Sequence, residues 1–263
     1  MIRVPIMTAA SAAVGSYQGF DSLNTSNQQG LASAEFNWKQ YYASVVLSGY
    51  DEFRNMGEAA QVSLLKARIQ QAEMSLRDTM NTDLFGDGTG NSSKALDGLA
   101  IAVDSTGTYG GFSRTGNAWW ASTETAVGGV LTIARMRTLF NDISAGGREH
   151  PDLLVTDGDE YEAYEGLLQP DQRFQSNKLA DGGFLNLMFK DQPIVWDASA
   201  TAGVMYMLNL QYMKLYYHPQ RNFKPTPFQQ PTNQDARVSL ILFAGNLVGN
   251  NPRMQGKLTG LTD

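Results

Sequence analysis

GEAAQVSLLKARIQQAEMSLRDTMNTDLFG, Gly57 to Gly86, is the stretch on which the reading of this chain turns. Apolar residues recur at Val62, Leu65, Ile69, Ala72, Leu76 and Met80. That alternation of steps of three and four puts one apolar stripe along an α-helix and leaves Lys66, Arg68, Gln70, Arg77 and Asp78 facing elsewhere. The interior has no Pro and no Gly, Glu73 and Arg77 stand in the favourable i,i+4 order, and Gly86 with Gly88 supplies a stop. At 1.5 Å per residue the helix is a rod of roughly 40 Å, about twice an average globular helix. Such a rod is either the backbone of something long and flat or half of a coiled coil. The stripe holds only about four turns of good heptad and contains Ala72, which favours a helix packed within its own chain.

Working outward, residues 15–34, GSYQGFDSLNTSNQQGLASA, are rich in Gly, Ser, Asn and Gln without periodicity and read as an extended arm or mobile loop. EFNWKQYYASVVL, Glu35 to Leu47, reads as one long β-strand, with Phe36, Trp38, Tyr42 and Val46 on one register and Tyr41, Ala43, Val45 and Leu47 on the other, half buried at first and covered on both faces later. Ser48-Gly49 breaks it. On the far side of the helix, GDGTGNSSKALDG has the glycine density of a phosphate cradle, but it closes a helix instead of following a strand and lacks Gly-Lys-Ser/Thr, so a turn-rich linker is the reading. The pair Trp119-Trp120 follows, with one ring expected in the core and the other on a surface, as neighbours on a strand would be.

A second helix is predicted over Val127 to Ala145, with Val130, Ile133, Met136, Phe140 and Ile143 on one face and Gly146-Gly147 as its stop. DLLVT is a short buried strand, and Asp157 or Asp159 then opens a helix, GDEYEAYEGLL, stopped by Pro170. This βα unit points to an α/β layer in the middle of the chain. Strands are predicted in FLNLMF, PIVWD, VMYMLNLQYMKLYYHP and ARVSLILFAGNLV, with a proline-punctuated extended segment before the last of them. GNLVGNN reads as a loop.

The chain has 263 residues and no Cys, which excludes disulfides, zinc thiolates and thiol nucleophiles. His150 and His218 each precede a proline, far apart in sequence, and read as loop residues, not metal ligands. With 20 Lys and Arg against 26 Asp and Glu and no basic run, sequence-specific nucleic-acid binding has little support. No apolar run approaches the ~20 residues that span a bilayer. The start, MIRVPIMTAASAAVGS, imitates a signal peptide only thinly, Pro5 and its weak Thr/Ala/Ser core arguing against one.

The acidic cluster Asp157, Asp159, Glu160, Glu162 and Glu165 is the one lure toward catalysis, since paired carboxylates serve as acid and base in glycoside cleavage. The alternative, which we favour, is that acidic side chains in a first helical turn complement the helix dipole. There is no Gly-x-Ser-x-Gly elbow and no histidine in a triad setting.

The order of arm, long β segment, long helix, α/β middle and return through strands resembles the major capsid proteins of tailed bacteriophages, the Hong Kong 97-like fold shared with encapsulin shells. AEFNWKQYYASVVLSGYDEFRNMG is similar to the end of that family's E-loop, and the 57–86 stretch with its exit to its spine helix. GNAWWAST, HPDLLVTDGDEYEAYEGLLQPDQRF and GGFLNLMFKDQPIVWD resemble its axial domain, and RVSLILFAGNLVGNNPRMQGKLTGL its returning strand and tail. The resemblance implies an α+β chain divided into an N-terminal arm (1–25), an E-loop hairpin (26–56), a peripheral P-domain with the spine helix (57–100), an axial A-domain (101–215), and a return to the P-domain with the C-terminal tail (216–263). It implies a structural, non-enzymatic subunit without cofactor or metal, forming pentamers and hexamers of an icosahedral head around double-stranded DNA. Scaffold, portal and decoration proteins would be its partners, the virion its location, and the host cytoplasm its place of assembly. An encapsulin-type compartment is the alternative within assembly proteins, and a carboxylate-dependent glycoside hydrolase the alternative of another class. Some relatives cross-link Lys to Asn, but Lys39, Asn250 and Asn251 stand in surroundings that carry no such expectation. Many relatives also lose an N-terminal scaffolding segment; nothing before Arg3 could serve, so a mature end or a separate scaffold is expected. Trp38, Tyr41, Tyr42, Trp119 and Trp120 are the candidate inter-subunit contacts.

Overall fold

The computed structural model describes residues 1–26, 29–54, 58–144, 149–168 and 187–262. The chain begins with β1 (Ile2–Met7), which pairs antiparallel with β2 (Leu31–Phe36), Ile2 opposite Phe36 and Met7 opposite Leu31. Ile2, Val4 and Ile6 point inward while Arg3, Pro5 and Met7 point out, the alternation of a half-buried strand. The β1/β2 ribbon therefore runs across the 25/26 boundary expected between arm and hairpin.

The strand expected from Glu35 to Leu47 is two strands in different sheets. In β2 the inward residues are even-numbered, Ala34 and Phe36; in β3 (Lys39–Ser48) the more buried positions are odd, Tyr41, Ala43, Val45 and Leu47. Asn37-Trp38 absorbs the switch, because a one-residue change of register exchanges the faces of a strand. The outer register of β3 stays open, with Tyr42 and Val46 exposed, so the strand is not covered on both faces.

After α1 (Gly49–Arg54) comes α2 (Glu58–Leu84), 27 residues long. Its stripe is the expected one: Ala72 and Leu76 are buried with Val45 of β3 and Ile241, and Leu65, Ile69 and Met80 pack against them. The side chain of Val62 lies outside the described ones. Past the helix, Gly98 lies against its last carbonyls; a Cβ there would overlap the oxygens of Asp83, Leu84 and Gly86. The glycine-rich exit holds α3 (Gly90–Ser93), one turn wound left-handed through Asn91, Ser92 and Ser93, and then α4 (Leu99–Ala102).

β4 (Thr108–Tyr109) and β5 (Phe112–Ser113) make a small hairpin. The predicted helix over 127–145 divides into β6 (Thr123–Gly129) and α5 (Ile133–Ile143). Gly128 takes a φ of +58° where the register of β6 shifts just before its last residue, and Thr132 caps the helix by accepting from the Arg135 N–H at 3.4 Å. β7 (Leu153–Thr156) and α6 (Gly158–Leu167) fall where the sequence puts them. The predicted stops at Gly146-Gly147 and Pro170, and the start of FLNLMF, lie outside the described residues.

β8 (Leu187–Phe189), β9 (Gln192–Trp196), β10 (Met205–Leu208), β11 (Met213–Tyr217), β12 (Lys224–Pro225), β13 (Ala236–Gly249) and β14 (Gly256–Leu261) complete the chain. They build two sheets. One has six strands in the order β6-β14-β10-β7-β9-β8, with α5 and α6 packed into its apolar cluster. The other is centred on β13, with β3 along one side and β11 and β12 along the other. The final segment does not stay with β13: β14 inserts between β6 and β10, parallel to the first and antiparallel to the second. The strand predicted in ARVSLILFAGNLV is β13, so the loop reading of GNLVGNN fails for Gly245 to Gly249, which pair with β11.

Candidate assembly surface

Of the carboxylates that pointed to catalysis, Asp157 has a structural task. Asp157 is the N-cap of α6, accepting from the Glu160 N–H at 3.3 Å and from the Gly203 N–H at 3.2 Å. Glu160 is buried, Asp159 and Glu162 are exposed in the first turns, and Glu165 is half-buried. No group of three or more His, Asp or Glu capable of holding a metal occurs among the described residues. The Ser144 hydroxyl donates to the Phe140 carbonyl at 2.6 Å, so His150, 2.9 Å from that oxygen, donates through Nδ1. His218 caps a short turn by accepting from the Gln220 N–H at 3.2 Å. Among the described residues no helix is long and apolar enough to cross a membrane.

The five aromatic candidates part company. Trp120, 1% exposed, is a core residue whose Nε1 donates to the Tyr109 carbonyl at 2.8 Å; its surface is already covered within one chain, which leaves nothing for a neighbour. Trp119 is half-buried, its ring 5.6 Å from that of Trp120 and 5.8 Å from Phe112. The two sit on a 3-10 turn, Ala118–Trp120, not on a strand, which is why both rings lean on one cluster. Tyr41 faces inward: its hydroxyl donates to Asp83 at 2.6 Å and accepts from the Leu96 N–H at 2.7 Å. Burial first, and then the hydrogen bond to the Asp83 carboxylate, raise its pKa above the usual phenol value. Tyr42 is 72% exposed on the open face of β3, and Trp38 is half-buried against the ring of His218.

A larger surface escapes residue-by-residue reading. Met7 at the end of β1, Leu31 at the start of β2, and Val14, Tyr17, Phe20 and Leu23 in the segment joining them are all more than half exposed. Asp21 is the one charge between Thr8 and Ala34. A lone chain gains nothing by holding these side chains in water. Their three-residue spacing from Val14 to Leu23 is visible in the sequence, but no helical stripe or strand alternation organises it. Nearby, β3 has one edge on β13 and the other along a cleft of about 490 Å³ walled by Arg68, Gln71, Ser75 and Thr79 of α2.

Where ribbon, helix and sheets meet, a buried polar cluster fixes their relation. Asn246 is 0% exposed; its amide donates to the Asn37 carbonyl at 2.9 Å and to Asp97 Oδ2 at 2.6 Å, and its oxygen accepts from the Asp97 and Leu247 N–H groups. Asp97 Oδ1 pairs with Lys39 Nζ at 3.3 Å, and Lys39 also donates to the Ser93 carbonyl. On α2, Asn81 donates to Asp197 at 2.9 Å, tying the helix to the end of β9.

No family model matches the sequence, and no curated protein matches it. Solved structures do. A chain of the cyanophage A-1(L) capsid asymmetric unit superposes with a TM-score of 0.73 at 19% identity, covering 100% of this chain and 88% of that one. A capsid chain of an empty GTA particle gives 0.64 at 11% identity over 99% of this chain and 84% of the other. A chain of the holo-SrpI encapsulin complex from Synechococcus elongatus PCC 7942 gives 0.60 at 10% identity over 89% and 77%. At such identities the likeness is one of fold, and the fold of this chain is that of the phage major capsid proteins, which an encapsulin shares.

Proposed function

We propose that this chain is the structural subunit of a closed icosahedral phage head, assembling as pentamers and hexamers around double-stranded DNA. The observation that carries the reading is the β1/β2 ribbon, which with its connecting segment exposes six large apolar side chains on a chain that matches capsid subunits over its whole length. A subunit that completes its burial only against copies of itself behaves in this way. On this reading the ribbon is the extended E-loop, α2 and the β13 sheet form the peripheral domain, and the six-stranded sheet with α5 and α6 is the axial domain. Tyr42, Trp38 and Trp119 then meet neighbours, joined by the apolar side chains of the ribbon. The particle is the chain's location, host cytoplasm its place of assembly, and scaffold, portal and decoration proteins its further partners.

The test is negative-stain electron microscopy with sedimentation on the chain expressed alone and with its neighbouring genes. Closed shells, or free pentamers and hexamers, are expected; a monodisperse monomer or dimer under both conditions refutes the proposal. The likeness to an encapsulin chain supports a second reading, a compartment around cargo protein. Nuclease-protected DNA inside the particles selects the phage head, and co-purified protein without nucleic acid selects the compartment.

A further inference from the structure

The acidic sum of the chain hides a segregated charge. Between Asp197 and Asp235 there is no Asp or Glu, and that interval holds Lys214, His218, Arg221 and Lys224, all exposed. β11 and β12 lie along the same side of β13, with Lys214 opposite Val248 and Lys224 opposite Leu242, so Lys214, Arg221 and Lys224 are spread over about 20 Å of one strand. Among the described residues no carboxylate lies within ion-pair distance of Lys214, Arg221 or Lys224. Arg221 donates instead to the neutral Gln40 side chain at 2.9 Å. The His218 ring meets Trp38 edge-on at 5.8 Å, and Trp38 borders a cleft of about 380 Å³ with Lys39 and the exposed Lys94. The charge of Lys39 is taken up by Asp97, which leaves Lys214, Arg221 and Lys224 as the cations of the strip itself. Tyr217 and Phe223 are exposed between the cations.

We propose that this strip is the face turned toward enclosed nucleic acid and that it holds phosphate backbone without reading bases; the proposal rests on the shell reading above. A wall of subunits each carrying −6 would repel a polyanion unless its charge were sorted, with acids away from the cargo and cations toward it. Three unneutralised cations release few counterions, so one copy binds weakly and a shell of many copies binds by number. The main competitor is protein: carboxylates of a second copy, itself net acidic, could seat on the same strip.

The full-length chain is titrated into a fluorescein-labelled duplex of ~30 base pairs, read by anisotropy between about 20 and about 200 mM NaCl. We expect binding that is equal for two unrelated sequences, with log K falling against log salt at a slope of about −2.7 for three phosphate contacts. The variant Lys214→Gln/Arg221→Gln/Lys224→Gln should bind at least about tenfold more weakly at the lowest salt, while Lys66→Gln/Arg68→Gln on α2 should bind as the parent does. Absence of binding at about 20 mM salt, or a triple variant that binds normally, overturns the proposal. A triple variant that keeps its DNA affinity but no longer forms particles also overturns it and gives the strip to a second copy. Binding is read on the chain itself, so particles without DNA affinity refute this inference alone, whereas absence of particles refutes the shell reading and with it the strip's place on an inner face.

Discussion

Asn246 shows how much one side chain can hold. It contacts the turn between β2 and β3, both the backbone and the carboxylate of Asp97, and its own strand, all without exposure to water. Asn246→Ala should lower unfolding free energy by about 3 kcal/mol, read from urea unfolding, because it leaves a hole at a fully buried site and removes the bonds to the Asn37 carbonyl and to both the N–H and the carboxylate of Asp97 together. Three buried phenols give a pH prediction. Burial raises the Tyr164 hydroxyl to about 12 and moves those of Tyr41 and Tyr109 upward as well, so the folded state binds their protons more tightly than the unfolded chain, whose value is near 10. Stability is therefore complete below about pH 10 and falls as pH rises toward 12. Tyrosinate absorbance should lag in the native protein and appear together with loss of the fold. Little of this was legible beforehand. The strand predicted in ARVSLILFAGNLV does run through Gly245, but the reason for a glycine there is tertiary: it lies so close to the Tyr216 carbonyl and the Phe243 ring that only a residue without a Cβ fits.

At the scale of elements, periodicity is trustworthy where it is long. The α2 stripe names its buried face correctly because a single helix face meets a single sheet, chiefly at β3 with Ile241 of β13, along several turns. Leu76→Ala should cost about 3 kcal/mol, whereas Met74→Ala on the exposed side should cost less than about 0.5, both read by thermal and urea unfolding. The 127–145 helix starts six residues late for a related reason: Val127 and Val130 continue the apolar spacing, but Gly128-Gly129 disfavours a helix and Val127 finds its place in β6. The 35–47 strand splits because two consecutive alternations of opposite phase look, in one dimension, like a strand buried on both faces.

For the whole molecule, the prediction concerns the ribbon. Tyr17→Ser/Phe20→Ser should leave the unfolding free energy of the single chain within about 0.5 kcal/mol, since both side chains are exposed, and should stop or slow particle formation seen by sedimentation. Glu162→Gln/Glu165→Gln should leave particle formation intact; glycan hydrolysis that this pair abolishes would revive the enzyme alternative. The order of elements, the spine-like helix, the βα unit at Leu153–Leu167 and the absence of thiol chemistry were decided by the amino-acid order, because each depends on neighbours a few residues apart or on composition. Tertiary structure alone decided which strand lies beside which. It took β1 to β2, β3 to β13 and the tail β14 into the centre of the six-stranded sheet, and it spent Trp120 on the core while leaving Tyr42 open. Strand pairing joins residues up to some two hundred positions apart, and an alternating strand states which of its faces is apolar without stating whose backbone will lie along its edge.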